Sequence, residues 1–164
     1  MSDLIKNGHV VDDVWKTLRL APEDTAHGVK LPVGPVLVPV AVWKARRAEL
    51  IRREYEHGWP LGIWLAADED PAAIKGDVDD FTVIAVEFDK FDDGSSYLAA
   101  GLLRQGYGYR GELRAVGDVP RNRLAYLRHL GFDAIKANNE QFVNTPPVKL
   151  VEFVHARPRL VAAA

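Results

Sequence analysis

Short apolar runs recur along the chain, and most are followed by a segment with helical spacing. The runs begin at residues 36, 61, 82, 112 and 132, and their many β-branched residues predict strands. Successive starts are separated by 25, 21, 30 and 20 residues. Such distances suit parallel strands joined by crossovers, whereas hairpins need far fewer residues. The pattern predicts a five-stranded, mainly parallel α/β sheet flanked by helices, as an open sheet or a partial TIM-like barrel.

The segments between the runs predict the crossover helices. Over 46–57, Leu50, Ile51 and Tyr55 lie on one stripe, and Gly58 is placed to end the helix in a left-handed conformation. Three further helices are predicted, over 71–76, 95–106 and 119–130.

The two ends of the chain differ from this repeated part. The Asn7-Gly8 pair between short apolar stretches predicts a small N-terminal β-hairpin. Residues 148–154 alternate between apolar and polar positions, so we expect a late strand there that pairs with the hairpin. We interpret residues 1–164 as one α/β domain with a hairpin and connector (1–30), a repeated core (36–137) and a C-terminal extension (138–164).

Composition excludes several classes of protein. The formal net charge is −2 over 164 residues, so no overall positive field favours nucleic acid or an anionic membrane. With no cysteine, the chain cannot form disulfides, thiolate zinc sites or cysteine-ligated iron–sulfur clusters. It has no apolar run of about 20 residues and no secretory leader, which predicts a cytoplasmic protein. No glycine-rich phosphate loop follows a strand and the histidines lack ligand spacing, so we assign no cofactor and no metal.

Several charged residues lie at or near the predicted strand ends. In parallel sheets these ends share one edge, where ligands bind. We therefore take Glu87, Arg114, Asp118 and Lys136 as candidate catalytic residues for acid–base work on an anionic substrate. Each has a structural alternative: Asp118 suits a helix N-cap, Glu87 and Arg114 suit an ion pair between strands, and Lys136 suits a solvated position.

Charge is distributed unevenly along the chain. Residues 68–93 hold ten acids and two lysines, whereas residues 104–128 hold six arginines against two acids. The acidic block lacks the alternating order of a calcium loop. The arginine block, which includes Arg121, can receive a phosphate, a sulfate or an acidic partner surface, although solvation of exposed helix faces also explains it.

Five segments between Phe91 and Ile135 resemble a bacterial family of unknown function. The family is usually labelled a probable oxidoreductase involved in sulfite reduction, largely because its genes lie beside those of assimilatory sulfite reductase. The resemblance implies a role in sulfur assimilation and sulfite reductase as a partner, without implying a particular chemistry. The segments are Phe91–Ala99, Leu102–Arg104, Gly111–Val119, which is the most specific, Leu124–Arg128 and Gly131–Ala134.

The resemblance also selects polar positions as site candidates. It adds Asp93, Glu112 and Asp133 to Arg114 and Asp118, and together with Arg121 these three are our candidate substrate-binding residues. The chain departs from the family pattern at Ser95, where the family has an arginine, at Asn122-Arg123, where it has Asp-Gln, at Leu130, where it often has a cysteine, and at Ile135, where it often has an aromatic residue.

Three functions are compatible with these residues. The resemblance implies an accessory or oxidoreductase-associated protein of assimilatory sulfite reduction, and any redox chemistry would need an external cofactor. The strand-end residues suggest instead a small-molecule enzyme that binds an anion, and the arginine block suggests a non-catalytic interaction module. An open sheet leaves an edge strand to be covered, which makes a homodimer plausible.

Overall fold

The computed structural model describes residues 3–90 and 94–137, which form one mixed sheet with helices on one face. The predicted late strand at 148–154 and Asp93 lie outside the described residues. The strands are β1 (Asp3–Lys6), β2 (His9–Asp12), β3 (Lys16–Thr17), β4 (Val36–Pro39), β5 (Leu61–Leu65), β6 (Val83–Phe88), β7 (Glu112–Gly117) and β8 (Ala134–Ala137).

The strand order across the sheet is β2-β1-β8-β7-β6-β5-β4-β3. Every pairing from β3 to β8 is parallel, whereas β1 pairs antiparallel with both β2 and β8. The predicted α/β class, with an open sheet flanked by helices, is confirmed, and the sheet is curled. The predicted five-stranded, mainly parallel sheet is wrong: over the described residues the sheet is mixed and has eight strands. The difference comes from β3, which lies in the predicted connector, and from the hairpin, which joins the sheet.

In the part of the chain that the structure describes, three α-helices follow strands of the sheet: α1 (Val40–His57), α2 (Ser95–Gly101) and α3 (Leu124–Leu130). Helix α1 ends at Gly58, whose φ of 67° is left-handed as predicted. Helix α2 continues into a π-helical turn, and short 3₁₀ turns cover Pro71–Ile74, Val78–Asp80 and Arg121–Arg123. Pro120, rather than Asp118, stands at the cap position before the last of these turns.

The main core lies between the sheet and the helices. Alternate strand residues such as Ile63, Ile84 and Leu113 are buried there against Trp43 of α1 and Leu127 of α3. All three helices share this one apolar cluster, so they cover the same face of the sheet, which we call the helix face. The opposite face is therefore available for other contacts.

The opposite face is concave and is crossed by the chain itself. β2 and β3 are at opposite ends of the strand order, and seven spacings in a flat sheet would separate them by about 34 Å. Only residues 13–15, which we call the strap, join these two strands, and they can bridge at most about 14 Å. The sheet must therefore curl around the strap.

Trp15 of the strap packs into a small apolar cluster on the concave face, against Leu37, Val83 and Ala85. Gly62 provides the space for it, because a Cβ there would lie 3.0 Å from Trp15 Cζ3 and 2.8 Å from the Val83 carbonyl oxygen. The absence of a side chain at residue 62 is thus a requirement of the concave face.

The N-terminal hairpin forms at the predicted residues. Asn7 and Gly8 have φ values of 53° and 79°, as a type I′ turn requires. In the described residues, no helix combines the length and the hydropathy that a bilayer crossing requires.

Candidate functional site

Five charged side chains form a continuous chain of ion pairs on the concave face. We call it the concave network. Arg114 of β7 is central: its Nε and Nη2 donate to Glu112 Oε1 at 3.0 and 2.8 Å, and its Nη1 donates to Asp13 Oδ1 at 3.1 Å. Lys136 Nζ donates to Asp13 Oδ2 at 2.6 Å, and Lys6 Nζ donates to Glu112 Oε2 at 2.7 Å. The order Lys6–Glu112–Arg114–Asp13–Lys136 alternates in sign and brings β1, β7, β8 and the strap together.

The centre of the concave network is buried, since the side chains of Arg114 and Asp13 are each 1% exposed. Both lysines at its ends reach solvent: the side chain of Lys6 is 44% exposed and that of Lys136 is 24% exposed. We call the Lys136 end, which adjoins Asp13, the open end. Lys136 therefore gives solvent access to an otherwise enclosed carboxylate. The alternating positions of the strands explain the arrangement, because Glu112, Arg114 and Lys136 all point away from the helix face.

Asp13 is held in its charged form. Burial alone would raise the pKa of this carboxyl, but the hydrogen bond from Lys136, the charge of Arg114 and the backbone N–H of Trp15 outweigh it and lower the pKa. With Asp13 ionised, the three cations of the concave network face two carboxylates. The network carries one surplus positive charge.

Glu87 lies near the same open end. In the sheet register Glu87 pairs with Val116 and Val116 pairs with Lys136, so Glu87 and Lys136 are on one row, two strands apart. Glu87 accepts a 3.3 Å contact from Arg19, whose guanidinium also stacks over Trp64. Asp118, just beyond β7 at this edge, is exposed, and its backbone N–H donates to the Phe88 carbonyl at 2.9 Å.

Asp133 belongs to a separate cluster. We call Arg104, Arg128 and Asp133 the turn clamp. Arg104 donates to Asp133 at 2.6 Å and also to the carbonyls of Tyr109, Gly111 and Gly131 at 2.8 to 3.1 Å. Asp133 additionally accepts from the backbone N–H of Leu113 at 3.1 Å. These bonds tie the turns before β7 and β8 together, which is a structural role.

The acidic block builds a different feature at the ends of β5 and β6. A cleft of about 550 Å³ is lined by Asp68, Glu69, Asp70 and Asp89 together with residues of α2. Glu69 and Asp70 accept backbone N–H groups of Ala66 and Ala72, so two of these carboxylates cap local turns. Within the described segments, no group of three or more His, Cys, Asp or Glu side chains is arranged to hold a metal ion.

The structure thus divides the sequence-predicted residues into groups. Arg114, Glu112 and Lys136 meet in the concave network, Glu87 and Asp118 lie near its open end, and Asp133 lies in the turn clamp. Arg121 begins the 3₁₀ turn before α3.

Sequence reasoning missed three members of the site, Lys6, Asp13 and Arg19. Asp13 is separated from its partners Arg114 and Lys136 by 101 and 123 residues. It lies in a polar stretch without periodicity, so no local pattern identifies it. The Asn7-Gly8 hairpin signal was the only available indication that Lys6 belongs to a strand.

The arrangement is suited to binding a small anion. A surplus positive charge in a partly enclosed site attracts anions more strongly than the same charge in water. Arginine and lysine donors that converge on two carboxylate oxygens would equally suit the oxygens of an oxyanion.

Residues 62–157 match the family described as "Bacterial protein of unknown function (DUF934)". The match covers more than half of the chain and includes β5 from its second residue and all of β6 to β8, and β7 and β8 carry Glu112, Arg114 and Lys136. No curated protein matches the chain.

Proposed function

We propose that this chain, which belongs to the bacterial DUF934 family, is an accessory protein of assimilatory sulfite reduction that binds a small inorganic anion on its concave face. The sulfite setting is supported by the resemblance described above, whose most specific segment, Gly111–Val119, contains β7. The anion binding is supported by the concave network. We place the protein in the cytoplasm, with sulfite reductase as its partner.

The surplus positive charge of the concave network is the observation that carries this proposal. Three cations face two carboxylates, and Lys136 connects them to solvent. Sulfite and sulfate carry negative charge on several acceptor oxygens, which match ammonium and guanidinium donors. The acidic cleft at the ends of β5 and β6 repels anions from that part of the sheet edge, so it favours entry of an anion beside β8.

Binding is supported more strongly than catalysis. Arg114 is fully enclosed by its partners, and the pKa of Asp13 is shifted away from neutrality, so neither is suited to exchange protons at physiological pH. One observation favours an acid–base enzyme as the second candidate: Glu87 lies on the same register row as Lys136. An acidic substrate anion bound to Lys136 would lie near Glu87, whose carboxylate would be placed to accept a proton from it.

Calorimetric titration with sulfite and sulfate, in chloride buffer at constant ionic strength, tests the binding. We expect the wild type to bind and Lys136→Met to lose binding, because the open end of the network then has no cation. Lys44→Met on α1 is the matched control, because the same charge is removed from an exposed helix position. Equal binding by the two variants, or no binding by the wild type, would overturn the proposed site.

Growth of a deletion strain on sulfate and on cysteine tests the biological setting. We expect slow growth on sulfate, normal growth on cysteine, and recovery by the wild-type gene but not by one encoding Lys136→Met. Recovery of the sulfite reductase haemoprotein with the tagged chain from the cytoplasmic fraction would identify the partner. Unchanged growth on sulfate would remove the accessory role while leaving the anion-binding result intact.

We also propose a homodimer through β2. All four residues of this edge strand are exposed, including Val10 at 50%. β2 pairs with β1 on one side, and no strand of the described residues pairs with its other edge. Such an edge with apolar side chains is a surface on which a second copy can add its own edge. Light scattering after size-exclusion chromatography would give the mass of two chains, and Val10→Lys would reduce it to one.

A further inference from the structure

We infer that the Asp13 carboxylate occupies the seat of a small oxyanion, a binding site formed by Arg114 Nη1 and Lys136 Nζ, and that the ligand binds by displacing the strap. This inference rests on the proposed anion binding and identifies where and how it occurs.

The seat is complete without Asp13, because its donors come from elsewhere. Arg114 Nη1 and Lys136 Nζ belong to two neighbouring strands, and the guanidinium is already oriented by Glu112 through Nε and Nη2. Asp13 itself lies on no strand of the sheet. The two cationic donors therefore belong to the sheet, whereas the carboxylate and the Trp15 amide belong to the strap.

Each oxygen of the carboxylate meets a separate set of donors. Oδ1 accepts from Arg114 Nη1 and from the Trp15 backbone N–H, both at 3.1 Å, and Oδ2 accepts from Lys136 Nζ at 2.6 Å. The contacts of the two oxygens with a guanidinium and an ammonium reproduce the way oxyanions are bound in proteins, whereas the Trp15 amide moves with the strap. Sulfite, sulfate or phosphate offers the same oxygens with more charge.

The strap is attached by few contacts. It has three residues, and Val14 between the two anchors is 67% exposed. Beyond Asp13, it is held by Trp15 in the small apolar cluster with Leu37 and Val83, and the strand that follows it, β3, has two residues. The seat is accessible beside Lys136, so an incoming anion can approach before the strap leaves.

Replacement of the Asp13 carboxylate by an external oxyanion keeps the charges of Arg114 and Lys136 compensated. If Asp13 left alone, Arg114 and Lys136 would be left as poorly compensated charges in a partly enclosed site, which is costly. If an oxyanion arrives as Asp13 leaves, the ion pairs are replaced and Asp13 becomes solvated. Displacement of the strap is therefore coupled to the ligand, which prefers the displaced state because only that state offers it the seat.

Titration of Asp13 variants with sulfite tests the inference. Asp13→Ala empties the seat and Asp13→Asn keeps its shape without the charge. We expect affinity to increase from wild type to Asp13→Asn to Asp13→Ala, by about tenfold in total, because the wild type binds only in the fraction of molecules whose seat is free. Asp12→Ala is the matched control, since it removes an exposed carboxylate one residue earlier on β2 and should leave affinity unchanged.

Amide NMR of the wild type supplies a second readout. The Trp15 N–H loses its bond to Asp13 Oδ1 when the strap is displaced, so its resonance should move as sulfite is added, in proportion to occupancy. The Trp43 indole, which donates to Asp77 at 3.0 Å on the helix side, should not move.

Each outcome decides the inference. Tighter binding by both variants together with a moving Trp15 amide supports it. A wild type that binds without either effect overturns the inference and leaves the proposed function standing. Binding by Asp13→Ala alone would show that the strap fills the seat permanently, which overturns displacement and, because the wild type then does not bind, the proposed anion binding as well. If neither the wild type nor a variant binds sulfite, both the inference and the proposed site fail. If Asp13→Ala does not fold, the affinity of Asp13→Asn relative to the wild type decides the inference.

Discussion

Two buried arginine clusters among the described residues use the same kinds of side chain for different purposes. In the turn clamp, Arg104 gives most of its hydrogen bonds to backbone carbonyls, and its one carboxylate partner, Asp133, also binds a backbone amide. In the concave network, every hydrogen bond donated by the Arg114 side chain goes to a side-chain carboxylate. Both arginines are nearly inaccessible to solvent.

The difference teaches which buried charges can be exchanged. A carbonyl oxygen cannot leave without unfolding its turn, so the turn clamp is part of the fold. A carboxylate on a strap can be replaced by another anion while the strands remain in place. Burial alone therefore does not separate structural from functional arginines, whereas the chemical origin of their acceptors does.

Removing Arg104 from the turn clamp should have the largest effect on the stability of the fold. Arg104→Met leaves three carbonyls and the Asp133 carboxylate without this donor, and we expect the free energy of unfolding to fall by about 3–5 kcal/mol. Urea denaturation followed by circular dichroism measures the loss. Arg110→Met, at an exposed position in the same turn, should change it little. A loss below about 1 kcal/mol for Arg104→Met would show that the clamp is not structural.

Filling the space under the strap should have the next largest effect. A methyl group at Gly62 would lie 2.5 Å from Leu37 Cδ2 and 2.8 Å from the Val83 carbonyl oxygen. We expect Gly62→Ala to lower the free energy of unfolding by about 1–3 kcal/mol, because backbone or Trp15 must shift. Gly76→Ala is the matched control, since its added carbon meets nothing within 4 Å. Equal stability of the two variants would contradict the packing of Trp15 described above.

The charge of Asp13 should give stability a dependence on pH. Its pKa in the folded chain lies below the ordinary 3.8, so its stabilising effect is fully present above that value and is lost as the pH falls through the folded pKa. The difference in unfolding free energy between wild type and Asp13→Asn should be constant from pH 7 to about pH 5 and shrink below about pH 4. A difference that grows on acidification would mean that the pKa is raised instead.

Removing the open end of the concave network should have the smallest effect on stability. Lys136 is partly exposed and Asp13 keeps Arg114 as a partner, so Lys136→Met should change the free energy of unfolding by less than about 1 kcal/mol. The same change should abolish sulfite binding. A large loss of stability, measured by urea denaturation, would instead make Lys136 a structural residue like Arg104.

Much of the sheet was predictable because β4 and β5 are apolar on both faces and the other core strands contain short apolar runs. The predicted starts at 36, 61 and 112 coincide with those of β4, β5 and β7, and the starts at 82 and 132 lie within two residues of those observed. Helix α1 was predicted from residue 46 but begins at Val40, directly after Pro39. The β-branched residues Val40 and Val42 are typical of a strand, yet both are buried in the first turn of the helix, so packing overrides local preference.

The parts that escaped prediction depend on distant contacts. β3 consists of Lys16 and Thr17, both exposed, so no hydrophobic pattern marks it. The Asn7-Gly8 turn predicts a hairpin but does not show which strand lies beside it. The pairing of Ile5 with Ile135, which places the hairpin beside β8, joins residues that are far apart in the sequence. For the same reason Arg114 and Lys136 were candidates by position, whereas Asp13, which joins them, was not.

A crystal of the wild-type chain soaked with selenate tests most directly whether an oxyanion can replace the Asp13 carboxylate in the concave network. The anomalous signal of selenium locates the oxyanion. The account predicts selenate oxygens within about 3 Å of Arg114 Nη1 and Lys136 Nζ, with the Asp13 carboxylate turned into solvent. An Asp13 that still holds both cations, with selenate bound elsewhere or absent, would contradict it.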